Sequence, residues 1–196
     1  MTVGRPKQFG AARTAVLAAA DRLFYERGIA AVSLDAVAKE AGVTRRTLYY
    51  HFTSKDRLVA AYLTRRAASS HAFVEQAAQG SASHVRAILA VFSALERWFC
   101  TREFRGCALT NAVGERGETI VVAGPITRRH KLAICDWFVT TSRAAGAGDP
   151  VALGEMLMLL FDGALTSATT RRSPESAVRA RSAAELLMIA HGLDAA

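Results

Sequence analysis

Cysteine is scarce in this chain of 196 residues: Cys100, Cys107 and Cys135 are all there are. They form an odd set without C-x-x-C spacing, which indicates neither a disulfide framework nor a zinc site. The motifs that carry common chemistries are missing too: no G-x-S-x-G, no Walker loop, no dinucleotide fingerprint and no H-E-x-x-H. The histidines, His51, His71, His84, His130 and His191, are scattered without ligand spacing. These absences speak against an enzyme and imply no cofactor and no metal. No apolar run approaches the ~18–20 residues needed to span a bilayer. The opening Met-Thr-Val-Gly-Arg-Pro-Lys-Gln-Phe-Gly lacks the apolar stretch and cleavage site of a signal peptide. The expectation is a cytoplasmic protein with no membrane partner.

Acidic residues are also short, 17 against 25 lysines and arginines, for a formal net charge of +8. The imbalance is localised. Residues 1–66 hold 12 of the 25 basic and 5 of the 17 acidic residues, a net +7, which leaves +1 for everything after them. With 51% hydrophobic residues the chain can bury a sizeable core, as one large or two small domains. A basic segment joined to a nearly neutral remainder is the pattern of a phosphate-binding head on a separate domain.

Residues 33–56 are the most informative. Leu34, Val37, Ala38 and Ala41 recur at helical spacing behind Ser33, and Gly42 stands where a left-handed residue ends a helix. Thr44 then caps a second helix after only a Gly-Val turn. Two helices so short and so closely joined match a helix-turn-helix, which sets its second helix in the DNA major groove. In that second helix Leu48 and Phe52 form the buried stripe, so Arg46, Thr47, Tyr49 and Tyr50 point outward. Such groups suit DNA: arginine to guanine or phosphate, hydroxyls to phosphate, a ring or methyl against thymine.

These residues resemble the DNA-binding domain of the TetR (tetracycline-repressor) family of bacterial regulators. The matching features are Leu23-Phe24 and Arg27-Gly28 closing a first helix, Ser33 to Gly42 as the second, Thr44 to Phe52 as the third, and Ser54-Lys55 opening a fourth. The likeness is close over about residues 10–60. It implies an all-α protein with an N-terminal three-helix DNA-binding domain, residues 1–54, and a helical effector-binding and dimerisation domain, residues 55–196. Candidate DNA contacts are Ser33, Thr44, Arg45, Arg46, Thr47, Tyr49, Tyr50 and His51. Lys55, in the first turn after a Ser54 cap, offers a charge and free backbone N–H groups to a phosphate. Gly4-Arg5-Pro6-Lys7 resembles the basic arm that some family members carry, which makes Arg5 and Lys7 further candidates.

Helical patterns continue over residues 11–27, 55–79 and 83–99, around 104–115, within 119–145, and near 150–170 and 175–192. The last two open on Asp149-Pro150 and Ser173-Pro174, each read as a cap followed by proline at the first helical position. Pro125 either kinks its helix or marks a start after Gly124. The penultimate helix is apolar almost all round and so wants two partners. Leu153, Leu157, Leu160 and Ala164, with Val178, Ala184 and Leu187 of the last helix, are the expected homodimer interface, a four-helix bundle.

Trp98, Phe104, Trp137, Phe138 and Phe161 lie on the segments that enclose the effector cavity in the family, with Asn111, His130 and Asp162 as polar candidates. Cys107 lies in Phe104-Arg105-Gly106-Cys107-Ala108-Leu109-Thr110-Asn111, a string resembling that of relatives in which the cysteine senses electrophiles or oxidants. The resulting expectation is a homodimeric repressor on a palindromic double-stranded DNA operator, released by a small organic effector. The alternatives are sensing through Cys107 and a DNA-binding dimer without a ligand.

Overall fold

The computed structural model describes residues 6–115 and 119–194. Among the described residues there are only helices: α1 (Pro6–Arg27), α2 (Leu34–Glu40), α3 (Arg45–His51), α4 (Lys55–Ala78), α5 (His84–Phe99), α6 (Ala108–Gly114), α7 (Thr119–Ala145), α8 (Pro150–Arg171) and α9 (Glu175–Ala190). The all-α class is the one expected from the sequence.

Local chemistry sets most of the boundaries. The Ser33 hydroxyl accepts the Ala36 N–H at 3.1 Å, the Thr44 hydroxyl that of Thr47 at 3.1 Å and the Ser54 hydroxyl that of Arg57 at 3.2 Å. Each supplies a partner for a donor that the first helical turn leaves unpaired. Gly42, at φ +64°, ends α2 in the left-handed conformation. Asp149 caps α8 through the Ala152 N–H at 3.0 Å, with Pro150 at the first helical position.

Two expectations change, at α1 and α9, and the alternative left open at Pro125 is decided. α1 opens at Pro6, five residues ahead of the expected start, and proline suits that place because its missing N–H would have no partner there. α7 continues through Pro125 and does not begin after Gly124. α9 opens at Glu175 without a side-chain cap: Pro174 holds the cap position, and the Ser173 hydroxyl donates to the Glu175 carboxylate.

The helices form two compact units, residues 1–67 with 108–127, and residues 68–107 with 128–196. Compactness therefore divides the chain elsewhere than at residue 54. Leu58, Val59, Tyr62 and Leu63 of α4 are buried, and α6 with the start of α7 belongs to the first unit. In that unit α1, α2 and α3 pack together over Val16, Ala20, Leu23, Phe24, Val37 and Leu48. Phe24 meets Tyr62 edge-on at 5.4 Å.

In the second unit α5, α8 and α9 pack around Ile88, Phe92, Leu95, Ile134, Phe138, Leu157, Phe161 and Met188. α8 is long and apolar enough, by length and composition, to cross a membrane, which the search for an unbroken apolar run did not anticipate. Its Leu153, Leu157, Phe161, Ala164 and Leu165 belong to the core of this unit.

Candidate nucleic-acid interface

The recognition surface is built from the inside out. Leu48 is fully buried and Phe52 nearly so, which fixes the roll of α3. At about 100° per residue the remaining positions face outward. Tyr50 is 71% exposed, Tyr49 stands at the margin of exposure, and Arg45 and Arg46 are exposed. Exposed rings beside two guanidinium groups on one short helix can meet phosphate and base edges together.

The surface is pre-organised by contacts that the sequence reading did not find. Arg45 pairs with Asp35 of α2, Nε to Oδ1 at 3.3 Å, and its guanidinium lies 5.6 Å from the centre of the Tyr49 ring. A hydrogen bond with Tyr49, and then the Asp35 charge, push the Arg45 pKa further up from its already basic value. Thr47 is half-buried, and its hydroxyl lies 2.9 Å from that of Thr44, so both hydroxyls serve the helix start as well as facing outward. His51 stands edge-on to Tyr50 at 5.2 Å. Lys55 is half-buried, with Nζ 3.5 Å from the Ala30 carbonyl oxygen. Arg5 and the side chain of Lys7 lie outside the described residues.

Other sequence candidates fall in different places. Asn111 is exposed on α6, in the first unit. In the second unit Phe138 and Phe161 are core residues, ring centres 6.0 Å apart, and Phe138 also meets Trp137 at 5.2 Å. Trp98 and Phe104 are half-buried and meet at 5.1 Å. Trp137 lines a groove of about 950 Å³ beside the α4–α5 turn, whereas Phe104 lines a recess of about 600 Å³ with Phe99, Arg105 and Arg172. Of the aromatic candidates, Trp137 and Phe104 thus line separate concavities, and Trp98, Phe138 and Phe161 belong to the linings of neither. Cys107 is half-buried against the core.

His130 is only 5% exposed, and the neighbouring Lys131 forms an ion pair with Asp162. Burial first, and then the Lys131 charge, lower the His130 pKa to about 4. The imidazole is therefore neutral at physiological pH.

The expected dimer face needs correction. Leu153, Leu157 and Ala184 are buried in the core of the second unit, and Ala164, also buried there, stands at the floor of a surface trough between α8 and α9. Leu160 and Leu187 are half-buried, and Val178 is exposed. The outward apolar side chains are Leu159 and Val151 of α8 and Val178, Leu186 and Ile189 of α9.

Comparison with known proteins bears on the whole arrangement. Residues 16–62 match the family model described as bacterial regulatory proteins, tetR family. The transcriptional regulator TtgR of Pseudomonas putida is 47% identical over 51 residues, which cover 26% of this chain and 24% of TtgR. The chain thus aligns with about a quarter of the length of that curated relative. The transcriptional repressor BepR of Brucella suis is 31% identical over 121 residues, 61% of this chain and 57% of BepR. The crystal structure of a TetR-family transcriptional regulator from Streptomyces coelicolor superposes with a TM-score of 0.85 at 32% identity, covering 93% of this chain and 96% of that one. With the capped helix-turn-helix at its N-terminal end and this likeness along its length, the chain belongs to the TetR family of transcriptional regulators and carries that family's DNA-binding motif.

Proposed function

We propose that the protein is a homodimeric repressor which binds a palindromic operator through two copies of α3 and leaves it when a small organic effector binds the helical domain. Residues 1–54 are the DNA-binding domain in this reading, and residues 55–196 sense and dimerise. The observation that carries the reading is the outward face of α3, where Arg46, Tyr49 and Tyr50 stand clear of the Leu48–Phe52 stripe. Two such heads fit half-sites about 34–36 Å apart, one turn of DNA.

The dimer side of the proposal rests on Leu159, Leu186 and Ile189, large apolar side chains exposed on α8 and α9. Beside them Leu159, Leu160, Gly163 and Arg179 line a trough of about 270 Å³ between the two helices. A patch of this kind marks an association surface. The effector side rests on the aromatic-lined concavities and on the His130, Lys131 and Asp162 cluster of the second unit. A non-covalent effector is preferred to sensing through Cys107, because that thiol packs against the core, where a cysteine acts as a small hydrophobe. An effector needs only about 1–3 kcal/mol of coupling to shift operator binding.

The test is selection of binding sites from random duplex DNA, followed by release measurements with small hydrophobic compounds that raise the melting temperature. Recovery of a palindrome, and its release by a stabilising compound, is the expected result. Failure to enrich any sequence removes the DNA-reading assignment, and stabilising compounds that leave the complex intact remove the effector assignment.

A further inference from the structure

We infer that Glu115, at the end of α6, is a positioning residue for DNA binding: its carboxylate clamps the turn between α1 and α2 and so fixes the platform from which α3 is presented. One carboxylate oxygen accepts the Ile29 N–H at 2.8 Å, and the other accepts the Ala30 N–H at 2.6 Å. The second bond spans 85 positions of sequence. Both donors follow Gly28, which ends α1 at φ +83° with its own N–H on the Phe24 carbonyl at 3.0 Å. Beyond a left-handed residue the chain leaves its helix, and two successive N–H groups turned the same way form a nest for an anion. Glu115 is the anion in this nest, and charge-assisted bonds of that kind are stronger than neutral ones.

The clamp and the glycine belong together. A Cβ on residue 28 would lie 3.4 Å from Glu115 Oε1, in van der Waals contact with the carboxylate, so it is the positive φ that a side chain there would strain. The turn leads directly into the reading head. Ile29 and Val32 are buried beneath it, and Ser33 caps α2 immediately afterwards. On its other side, Lys55 Nζ lies 3.5 Å from the Ala30 carbonyl oxygen, so Ala30 offers its N–H to an anion and its carbonyl to a cation. α6 is itself tied into this unit, because the Thr127 hydroxyl donates to the Leu109 carbonyl at 3.2 Å. The conformation at the entry to the helix-turn-helix thus depends on a residue far along the chain.

Simple electrostatics and the clamp predict opposite signs. Removing a negative charge from a DNA-binding head raises its attraction for phosphate, so without a clamp Glu115→Ala would bind operator as well as wild type or better. With the clamp, the variant must order the turn during binding, and apparent affinity drops by the fraction of heads already ordered. The full-length protein is tested with Glu115→Ala and Glu115→Gln, by hydrogen exchange at the Ile29 and Ala30 amides and by operator titration over a range of salt. The expected result is protected amides in wild type and unprotected ones in Glu115→Ala. Operator affinity falls about tenfold with an unchanged salt slope, because no phosphate contact is lost. Glu115→Gln, which keeps one acceptor oxygen, falls between the two.

Unprotected Ile29 and Ala30 amides in wild type overturn the inference even if Glu115→Ala fails to fold, and so does operator binding by either variant that equals or exceeds wild type. The inference rests on the DNA-binding reading only for its affinity readout. Amide exchange is measured without DNA, so loss of the clamp and loss of the operator assignment are distinguishable.

Discussion

Arg66 of α4 pairs with Asp21 of α1: Nη2 donates to Oδ2 at 3.0 Å, and Nε stands 2.7 Å from Oδ1 as an ion pair without hydrogen-bond geometry. The same guanidinium lies 4.0 Å from the centre of the Tyr25 ring and 5.7 Å from that of Tyr62. Burial pushes the Tyr62 phenol far above its ordinary pKa, and the Arg66 charge opposes that rise. The pair fastens the middle of α4 to the first helix of the DNA-binding head. Arg66→Lys keeps the charge but loses the planar fork and the stacking, so it is not conservative here. Because the pair is mostly but not fully buried, Arg66→Ala is expected to cost about 1–3 kcal/mol, less than a fully buried pair would. Arg66→Lys should recover less than half of that loss. Urea unfolding of the three proteins checks both, and full recovery by lysine would show that charge alone matters.

On α3 the expected effects separate by exposure. Tyr50→Ala should leave the melting temperature within the range of surface substitutions and weaken operator binding by about 1–3 kcal/mol. Arg46→Ala should lower the salt slope by about 1 if it neutralises one phosphate. Thr47→Ala should reduce stability as well as affinity, since it removes the hydroxyl that meets Thr44. Fluorescence anisotropy on a selected operator, with thermal melts alongside, gives all three. Wild-type binding by both Tyr50→Ala and Arg46→Ala would exclude this face as the reading surface.

What was legible in the sequence was what local chemistry decides. Ser33, Gly42, Thr44 and Ser54 act within four residues of their own positions, so the helix-turn-helix could be read directly, and its outward face follows from Leu48 and Phe52. The Glu115 clamp and the Arg66–Asp21 pair join residues far apart in sequence, and no spacing rule links them. α8 failed for a different reason. A helix apolar on nearly every side announces two partners without saying which side each one takes, and Leu153 and Leu157 went inward while Leu159 stayed out. Gly154 shows why the inward side is fixed: a Cβ there would stand 2.4 Å from Val139 Cγ2 and 2.7 Å from Val139 Cα. α7 and α8 meet closely at that point, which composition alone does not reveal.

The buried imidazole gives a pH dependence of definite sign. His130 has a folded pKa of about 4 against an ordinary 6.5, with Lys131, Asp162 and His71 as the charged or titratable groups acting on it. Between these values the unfolded chain takes up a proton that the folded chain does not. The stability contributed by the neutral imidazole is therefore complete above pH 6.5 and is lost as pH falls toward 4, by at most about 3 kcal/mol. His130→Gln carries no such proton, so the stability difference between wild type and variant should shift steadily against wild type as pH drops from 7.5 to 5. Denaturant midpoints across that range measure it. A difference that does not change with pH would mean that the imidazole is solvated and titrates alike in both states.

Assembly is tested by two leucines two residues apart on α8. Leu159 is 72% exposed in the single chain, whereas Leu157, the one of the two that the sequence pattern assigned to the interface, is fully buried. Leu159→Arg places its charge in water as long as the protein is monomeric, so the subunit should fold normally. Dimerisation would then have to bury an unpaired ion, and removal of a leucine also forfeits about 1.5–3 kcal/mol of apolar burial where the interface covers it. The expected outcome is a folded monomer by sedimentation at micromolar concentration. It should also lose tight operator binding, because one head reads one half-site. Leu157→Arg puts the same charge into the core and should unfold the chain, which circular dichroism detects. Were Leu159→Arg to remain a dimer with unchanged operator affinity, the outward faces of α8 and α9 would not be where two copies meet.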